Sequence, residues 1–517
     1  MYPGTHAKTT PNKAAAVNAT TGEQITYVEL DSRSACLAAY LRASGMTRGD
    51  VVAVLMENNL RYFEVAWAAY RSGLYVVTVS RHATVGDVAY VIEDSGARAI
   101  VSSAALVSVA TESLADNAHC AIRLLVDSDV DGWERLDDAL SSSEAFDRRL
   151  ETFGEHMPYS SGTTGRPKGI RRPLPAGDPA DGFPTFLQAQ ALYGLDRDSV
   201  YLSPAPLYHT APIQFCLRVQ SFGGTVVMME RFDAAQALRA IERYRITHSQ
   251  WVPTMFVRLL KLDEAERNAY DLASHRCAIH AAAPCPVEVK HKMIEWWGPI
   301  VEEYYAGSER NGSTRISSAE WLEKPGSVGQ PRNCRVHICS EAGTELPVGE
   351  AGIIYFEQPD TSFVYHNDSQ KTDDSRHPQY ATWSTLGDVG YLDEDGYLYL
   401  TDRQSFMIIS GGVNIYPRMI EDALILHPAV ADVAVIGVPN EEFGEEVKAI
   451  VEPSSGVSPG PDLEAALIDF ARERLAHYMV PRSVDFLETM PRLPTGKLPK
   501  RVLREPYWAD SKRPTRV

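Results

Sequence analysis

Several things that would mark particular function classes are scarce or missing in this chain. Its seven cysteines are scattered through 517 residues, odd in number, and come closest at Cys334 and Cys339. That spacing offers neither a Cys/His metal framework nor a disulfide scaffold. They read as small apolar residues buried in a protein from a reducing compartment. No apolar run approaches the roughly 20 residues that a transmembrane helix needs. The opening Met-Tyr-Pro-Gly-Thr-His lacks the basic and apolar regions of a secretion signal. A cytoplasmic protein is therefore expected. Positive charge is also in deficit, with 50 Lys and Arg against 68 Asp and Glu, a formal charge of -18 and a pI near 5.3. Nucleic-acid binding draws on Lys and Arg that neutralise phosphates, so that class is excluded. A local phosphate site remains allowed, because charges beyond roughly 8 Å are largely screened at physiological salt. Internal repeats and low-complexity tracts are absent as well, the Pro/Ser/Gly-rich stretch 453–461 being only loop-sized.

What is present is an ordinary globular composition, 44% hydrophobic and 23% charged, in a chain too long for one compact core. Leu30, Leu37 and Leu41 share a helical face that Gly45 can stop. Residues 51–56 and 74–79 read as strands on either side of a helix at 61–72, and the rhythm continues at 88–93, 99–102 and 122–126. Strand and helix in alternation imply helix-covered, largely parallel sheets. In such sheets ligands bind beyond the carboxyl ends of the strands. After Asp402 the grain changes. A strand at 406–409, a Gly-Gly turn, a helix opened by Pro417, strands at 433–438 and 446–451, and a helix with Leu463, Leu467, Phe470, Ala471 and Leu475 on one face form an α+β pattern. The expected fold is α/β: a large N-terminal domain of several subdomains, residues 1–402, and a small mobile α+β domain, residues 403–517.

The segment 158–170 reads Pro-Tyr-Ser-Ser-Gly-Thr-Thr-Gly-Arg-Pro-Lys-Gly-Ile. Gly162, Gly165 and Gly169 let backbone N–H groups approach an anion. Ser160, Ser161, Thr163 and Thr164 add hydroxyl donors, and Arg166 and Lys168 add positive charge. The spacing from Gly165 to Lys168 is not that of the commoner phosphate-binding P-loop. Four further segments stand out: Tyr304-Tyr305-Ala306-Gly307-Ser308-Glu309, Gly387-Asp388-Val389-Gly390-Tyr391, a run from Arg403 through Ser405 to Gly411-Gly412-Val413-Asn414, and Pro494-Thr495-Gly496-Lys497. Each alone is weak, since short acidic turns and basic tails are usually solvated.

Together, in this order from 159 to 497, they resemble the signature segments of the acyl-adenylate-forming enzymes, which include acyl-CoA synthetases, aryl-CoA ligases, luciferases and peptide-synthetase adenylation domains. The resemblance implies that Ser160 to Gly165 and Lys168 hold ATP phosphates and that Tyr305 stacks near adenine. It implies that Ser308 contacts phosphate or the acyl carboxylate, Glu309 helps hold Mg2+, and Asp388 and Arg403 take the ribose, Arg403 also reaching phosphate. It makes Lys497 the catalytic lysine, Gly411-Gly412 the lining of the CoA channel and Ser405 the hinge. The chain departs from the family at Ala306, Ser308 and Ser405, where Gly, Thr and a charged residue are usual. A hydroxyl survives at Ser308, and rotation does not require a charge at the pivot.

The reaction so implied joins a carboxylic acid to CoA with ATP and Mg2+, through an acyl-adenylate. The acyl pocket is expected from 206–215, 251–254 and 281–286, with His209 beside the bound carboxylate and Ala211, Trp251, Ala282 and Ala283 as walls. Residues 207–215 contain no Asp or Glu for an α-ammonium group, which tells against amino acids. A bulky apolar acid is expected, whether medium- or long-chain, arylpropenoic or ring-bearing. Transfer to a carrier protein or to oxygen in place of CoA is an alternative, and a non-catalytic nucleotide sensor is another. The expected state is monomer or homodimer.

Overall fold

The computed structural model describes residues 1–160, 167–359, 363–403, 406–411, 413–492 and 498–509. Among them a six-stranded sheet is parallel throughout, in the order Glu134–Arg135, Ile122–Val126, Ala97–Ser103, Val51–Leu55, Tyr75–Thr78, Glu155–His156. Its central strand is buried at every position, as a sheet covered on both faces requires. Helices Tyr27–Ala43 and Val85–Ser95 connect to it, and Thr26 and Thr84 start them with reciprocal capping boxes.

A second sheet has thirteen strands. From Ala14–Asn18 through Thr225–Met228, Val200–Ser203, His248–Trp251 and Cys277–His280 to Val301–Ala306 the pairs are parallel. Beyond Val301–Ala306 every pair is antiparallel, a change the alternating pattern of the first hundred residues does not foretell. The connection explains it. Helix Val287–Trp297 joins the last two parallel strands, whereas only 307–312 separates Val301–Ala306 from Ser313–Ile316, too short for a parallel crossover.

The two sheets share a core in which helices Arg61–Ser72 and Thr210–Ser221 meet. Buried Trp67 donates its indole N–H to Gln220 at 2.7 Å. Thr78 at the end of one strand of the first sheet, and Asn58 in the loop after another, then fix the loop that leads into Thr210–Ser221. Asn58 accepts from the Leu207 N–H at 2.8 Å and donates to the Met229 carbonyl, and Thr78 donates to the Tyr208 carbonyl at 2.7 Å.

The C-terminal sheet runs Val413–Ile415, Ile408–Ser410, Gly444–Pro453, Val430–Asn440, with Ser483–Phe486 parallel to Gly444–Pro453. The strand expected at 406–409 begins at Ile408, and the helix Pro461–Arg472 ends before Leu475. Helix Lys500–Trp508 was legible only as a basic tail. Leu498, Leu503 and Tyr507 pack it on Ala434, Ile436 and Val438, and Trp508 donates to the Gly437 carbonyl at 3.0 Å. Arg418 donates to the Leu400 carbonyl at 2.9 Å, tying this sheet's first helix to the second sheet. Among the described residues no helix is long and apolar enough to cross a membrane.

Burial shifts four of the histidines strongly. Burial pushes His156, His275 and His280 down to about 3 and His248 down to about 4. They are neutral in the folded state, whereas the unfolded chain protonates near 6.5. Their contribution to stability is complete above pH 6.5 and is lost as pH falls toward 4, because only the unfolded state then takes up protons. Each histidine costs ~1.4 kcal/mol per pH unit in that window, so denaturant midpoints measured from pH 7.5 to 5.5 are expected to fall steeply. A midpoint that is flat over that range contradicts the assignment.

Candidate active site

Strands Tyr159–Ser160 and Lys168–Arg171 form a hairpin that pairs on its other side with Val364–Tyr365. Gly169 is required beside Tyr159, where an added Cβ would lie 2.9 Å from both Met157 and the Tyr159 ring. The Tyr159 hydroxyl donates to Asp94 at 2.7 Å, holding the first strand to helix Val85–Ser95. Lys168 bonds Asp368 at 2.6 Å. Asp368 also caps helix Ser369–Asp374, and the bond from Lys168 holds its carboxyl below the ordinary range.

Strand Val301–Ala306 brings Tyr305 against Asp388, whose carboxylate accepts from the tyrosine hydroxyl at 2.7 Å. Asp388 follows Gly387, whose φ of 78° bends strand Trp383–Leu392. Across from it, Asp388 is in register with Arg403. Gly307 keeps the turn tight, since a Cβ there would sit 2.6 Å from the tips of both Glu309 and Leu386 and would have to displace them. That tight turn points Glu309 inward, where Tyr365 donates to one carboxylate oxygen at 2.9 Å. The Ser308 hydroxyl lies 3.2 Å from that of Thr210. Tyr305, Ser308, Glu309, Asp388 and Lys168 all line one cavity of about 2390 Å3. No group of three or more His, Cys, Asp or Glu among the described residues could cage a metal by itself.

On the acyl side, His209 occupies the N-cap position of helix Thr210–Ser221, its ring 4.3 Å from that of Tyr208. Ala211, Ala282 and Ala283 line the same cavity. Trp251 contributes a wall and is itself core: it is buried, packs against Phe256 and Trp297, and donates to Ser249 at 2.6 Å. Ala282 has a φ of 75°, a left-handed conformation that costs a residue with a Cβ about 1–2 kcal/mol. Ala282→Gly relieves that strain and forfeits part of the gain to unfolded-chain entropy. We expect a net stabilisation of about 0.5–1 kcal/mol, read as a higher denaturation midpoint; a lower midpoint contradicts the strain.

The structure adds residues that no segment of the sequence singled out. Arg172 donates to the Ser308 carbonyl at 2.8 Å, and Arg310 reaches Glu155 at 3.2 Å and Gln214 at 3.2 Å. Burial acts to raise the Glu155 carboxyl, but Arg310 and Arg172 outweigh it and hold it low. Burial and then Arg310 bring Arg172 down to about 10. This buried polar cluster braces the Ser308-Glu309 turn from below. Gly411 takes a φ of 58° and bonds the Phe443 carbonyl. Ser161, Gly162, Thr163, Thr164, Gly165, Ser405, Gly412 and Lys497 lie outside the described residues, as do the side chains of Ser160 and Arg403.

Residues 4–366 match the family described as AMP-binding enzyme, and residues 419–497 match that described as AMP-binding enzyme C-terminal domain. A feruloyl-CoA synthase of an Amycolatopsis species is 33% identical over 510 residues, 98% of each chain. A long-chain-fatty-acid-CoA ligase of Mycobacterium tuberculosis is 31% identical over 517 aligned positions, 97% of each chain. Among solved structures, the o-succinylbenzoate CoA synthetase of Bacillus subtilis in complex with its acyl-adenylate intermediate superposes with a TM-score of 0.80. It is 25% identical, covering 100% of this chain and 99% of the other.

Proposed function

Because the chain belongs to the AMP-binding enzyme family, we propose that it is an AMP-forming carboxylate-CoA ligase with the division of labour set out below. The observation that carries this reading is the convergence of Lys168, Tyr305, Ser308, Glu309 and Asp388 on the cavity that His209, Ala211 and Ala283 also line. An ATP site and an acid site thus share one space. ATP, a carboxylic acid and CoA are the substrates.

In the first half-reaction the acid's carboxylate oxygen attacks the α-phosphorus of ATP, pyrophosphate leaves, and an acyl-adenylate forms. Positioning and charge neutralisation supply most of the help in such transfers. We assign Asp388 to the ribose diol, which a carboxylate meets with two accepted hydrogen bonds. Its bond from Tyr305 holds the two side chains in one arrangement. Lys168 and the 160–165 loop take the phosphates, and Arg403 and Lys497 join them. Glu309 suits Mg2+ as a single carboxylate ligand completed by substrate phosphates, the usual arrangement for that ion. Mg2+ there would neutralise phosphate charge. Ser308 and His209 flank the reacting carboxyl.

In the second half-reaction the thiol of CoA attacks the acyl carbonyl, its proton is lost, and AMP departs. Gly411 and Gly412 line the thiol's approach, and the C-terminal domain, bounded at 402/403, turns about Ser405 between the two steps. The acid has a bulky apolar body. The protein works in the cytoplasm, as a monomer or homodimer.

The test is pyrophosphate release across a broad acid panel, with and without CoA. Acid-dependent release without CoA, and thioester only with it, is expected. Thioester on a carrier protein in preference to free CoA contradicts the assignment of acceptor.

A further inference from the structure

Helix Thr210–Ser221 lays one face along the cavity, with Ala211, Gln214, Phe215 and Arg218 at the three- and four-residue spacing of a helical stripe. Its start is the reacting end, where Thr210 meets Ser308. Its far end presents a cation. Arg218 stacks over Phe215, guanidinium carbon 4.8 Å from the ring centroid, and over Phe186 at 5.9 Å. Its Nε is closed off without a hydrogen-bond partner. Desolvation weighs most against its charge, the Arg310 cation adds to that, and the phenols of Tyr304, Tyr193 and Tyr70 act the other way. The nearby carboxylate of Glu155 is already held by Arg310 and Arg172.

Two tyrosines line the same cavity as this cation. Gln250 donates its amide N–H to the Tyr304 oxygen at 3.0 Å, which leaves the Tyr304 proton to donate elsewhere. Tyr193 packs its ring 5.7 Å from Phe215 and lines the cavity beside Tyr304. Arg218 is half-buried with its Nε closed off from solvent, and a partly desolvated guanidinium gains most from an anion that meets it with good hydrogen-bond geometry. Among the described residues no carboxylate pairs with Arg218, which lines the cavity that holds the acyl pocket.

We propose that Arg218, assisted by Tyr304 and Tyr193, binds a second carboxylate on the far end of the acid substrate, so that the preferred acids are dicarboxylic with an apolar middle. This rests on the ligase reading and names its substrate class. The apolar body expected from Ala211, Phe215 and the alanines is kept; its distal end is charged. From Thr210 to Arg218 the helix axis rises about 12 Å, and the arginine leans back toward the helix start. An arylpropenoic or medium-chain diacid spans what remains.

The experiment compares kcat/KM for matched acids, para-carboxycinnamate against para-methylcinnamate and para-acetylcinnamate, and medium-chain alkanedioic against alkanoic acids. It uses the wild type, Arg218→Leu and Arg218→Lys. The wild type is expected to favour a diacid over its monoacid at least tenfold. Arg218→Leu should lower that ratio by roughly ten- to a hundredfold, the worth of charge-assisted hydrogen bonds, and Arg218→Lys should keep part of it. Thermal shift without ATP reads binding separately from turnover. A preferred diacid should raise the melting temperature of the wild type and not of Arg218→Leu, and the ligand-free Leu variant should melt at or above the wild type. Preference for the monoacid or the neutral ketone, a ratio that Arg218→Leu leaves unchanged, or a Leu variant that melts well below the wild type overturns the proposal. If no acid releases pyrophosphate while the diacid still shifts the melt, the ligase reading fails and the Arg218 site stands.

Discussion

Replacing Lys497 with alanine is expected to cut acid- and ATP-dependent pyrophosphate release by about 10²–10³-fold, the usual cost of removing one preorganised charge donor from a transition state. Conversion of supplied acyl-adenylate and CoA to thioester should be largely spared. The reason is that the first half-reaction gathers negative charge around the α-phosphorus, whereas the second displaces AMP from a carbonyl. Described residues on both sides of the lysine are held by ion pairs. Arg492 bonds Asp432 at 2.7 Å and Lys500 bonds Glu421 at 2.8 Å. Arg492, Leu498 and Lys500 all line the cavity that holds Glu309 and Asp388. Single-turnover measurement of each half-reaction checks the expected difference, and an equal loss in both contradicts separate machinery for the two steps.

The second large effect is expected from Glu309→Gln. The amide has nearly the carboxylate's shape and can still accept the Tyr365 hydroxyl that Glu309 accepts at 2.9 Å, so the turn built on Gly307 should survive. What is lost is one negative charge facing the phosphates. Adenylation is expected to fall by about 10²-fold, and the Mg2+ concentration giving half-maximal rate should rise, because a neutral amide is a poorer ligand for a hard cation. Tyr365→Phe provides the comparison: it removes a single hydrogen bond worth about 1 kcal/mol and should cost several-fold. If Glu309→Gln slows adenylation without moving the Mg2+ dependence, the carboxylate acts in some other way.

How far these features were legible in the sequence depends on the range over which they are made. Tyr305 and Glu309 stand in one short segment, and so do Gly387 and Asp388. Their residue types announce their chemistry, and the folded chain places all four residues at one cavity. The partners are different. Lys168 meets Asp368 across 200 residues and Glu309 meets Tyr365 across 56. Both contacts exist because the hairpin at 159–171 pairs with the two-residue strand Val364–Tyr365. A strand that short has no periodicity to read. The antiparallel half of the large sheet was hidden for a related reason, since the alternating rhythm was traced where crossovers are helical and not beyond Val301–Ala306. Arg218 escaped notice because a lone arginine in an amphipathic helix usually faces water. Only the fold shows that this one faces the cavity.

The central claim is that one cavity joins an acid to CoA at the expense of the α,β-bond of ATP. It is tested most directly by following nucleotide and thioester together in one reaction containing ATP, Mg2+, CoA and a turned-over acid. The account predicts AMP and pyrophosphate formed one for one with acyl-CoA, and no nucleotide product when the acid is omitted. Formation of ADP in place of AMP, or AMP release that does not depend on the acid, would contradict it.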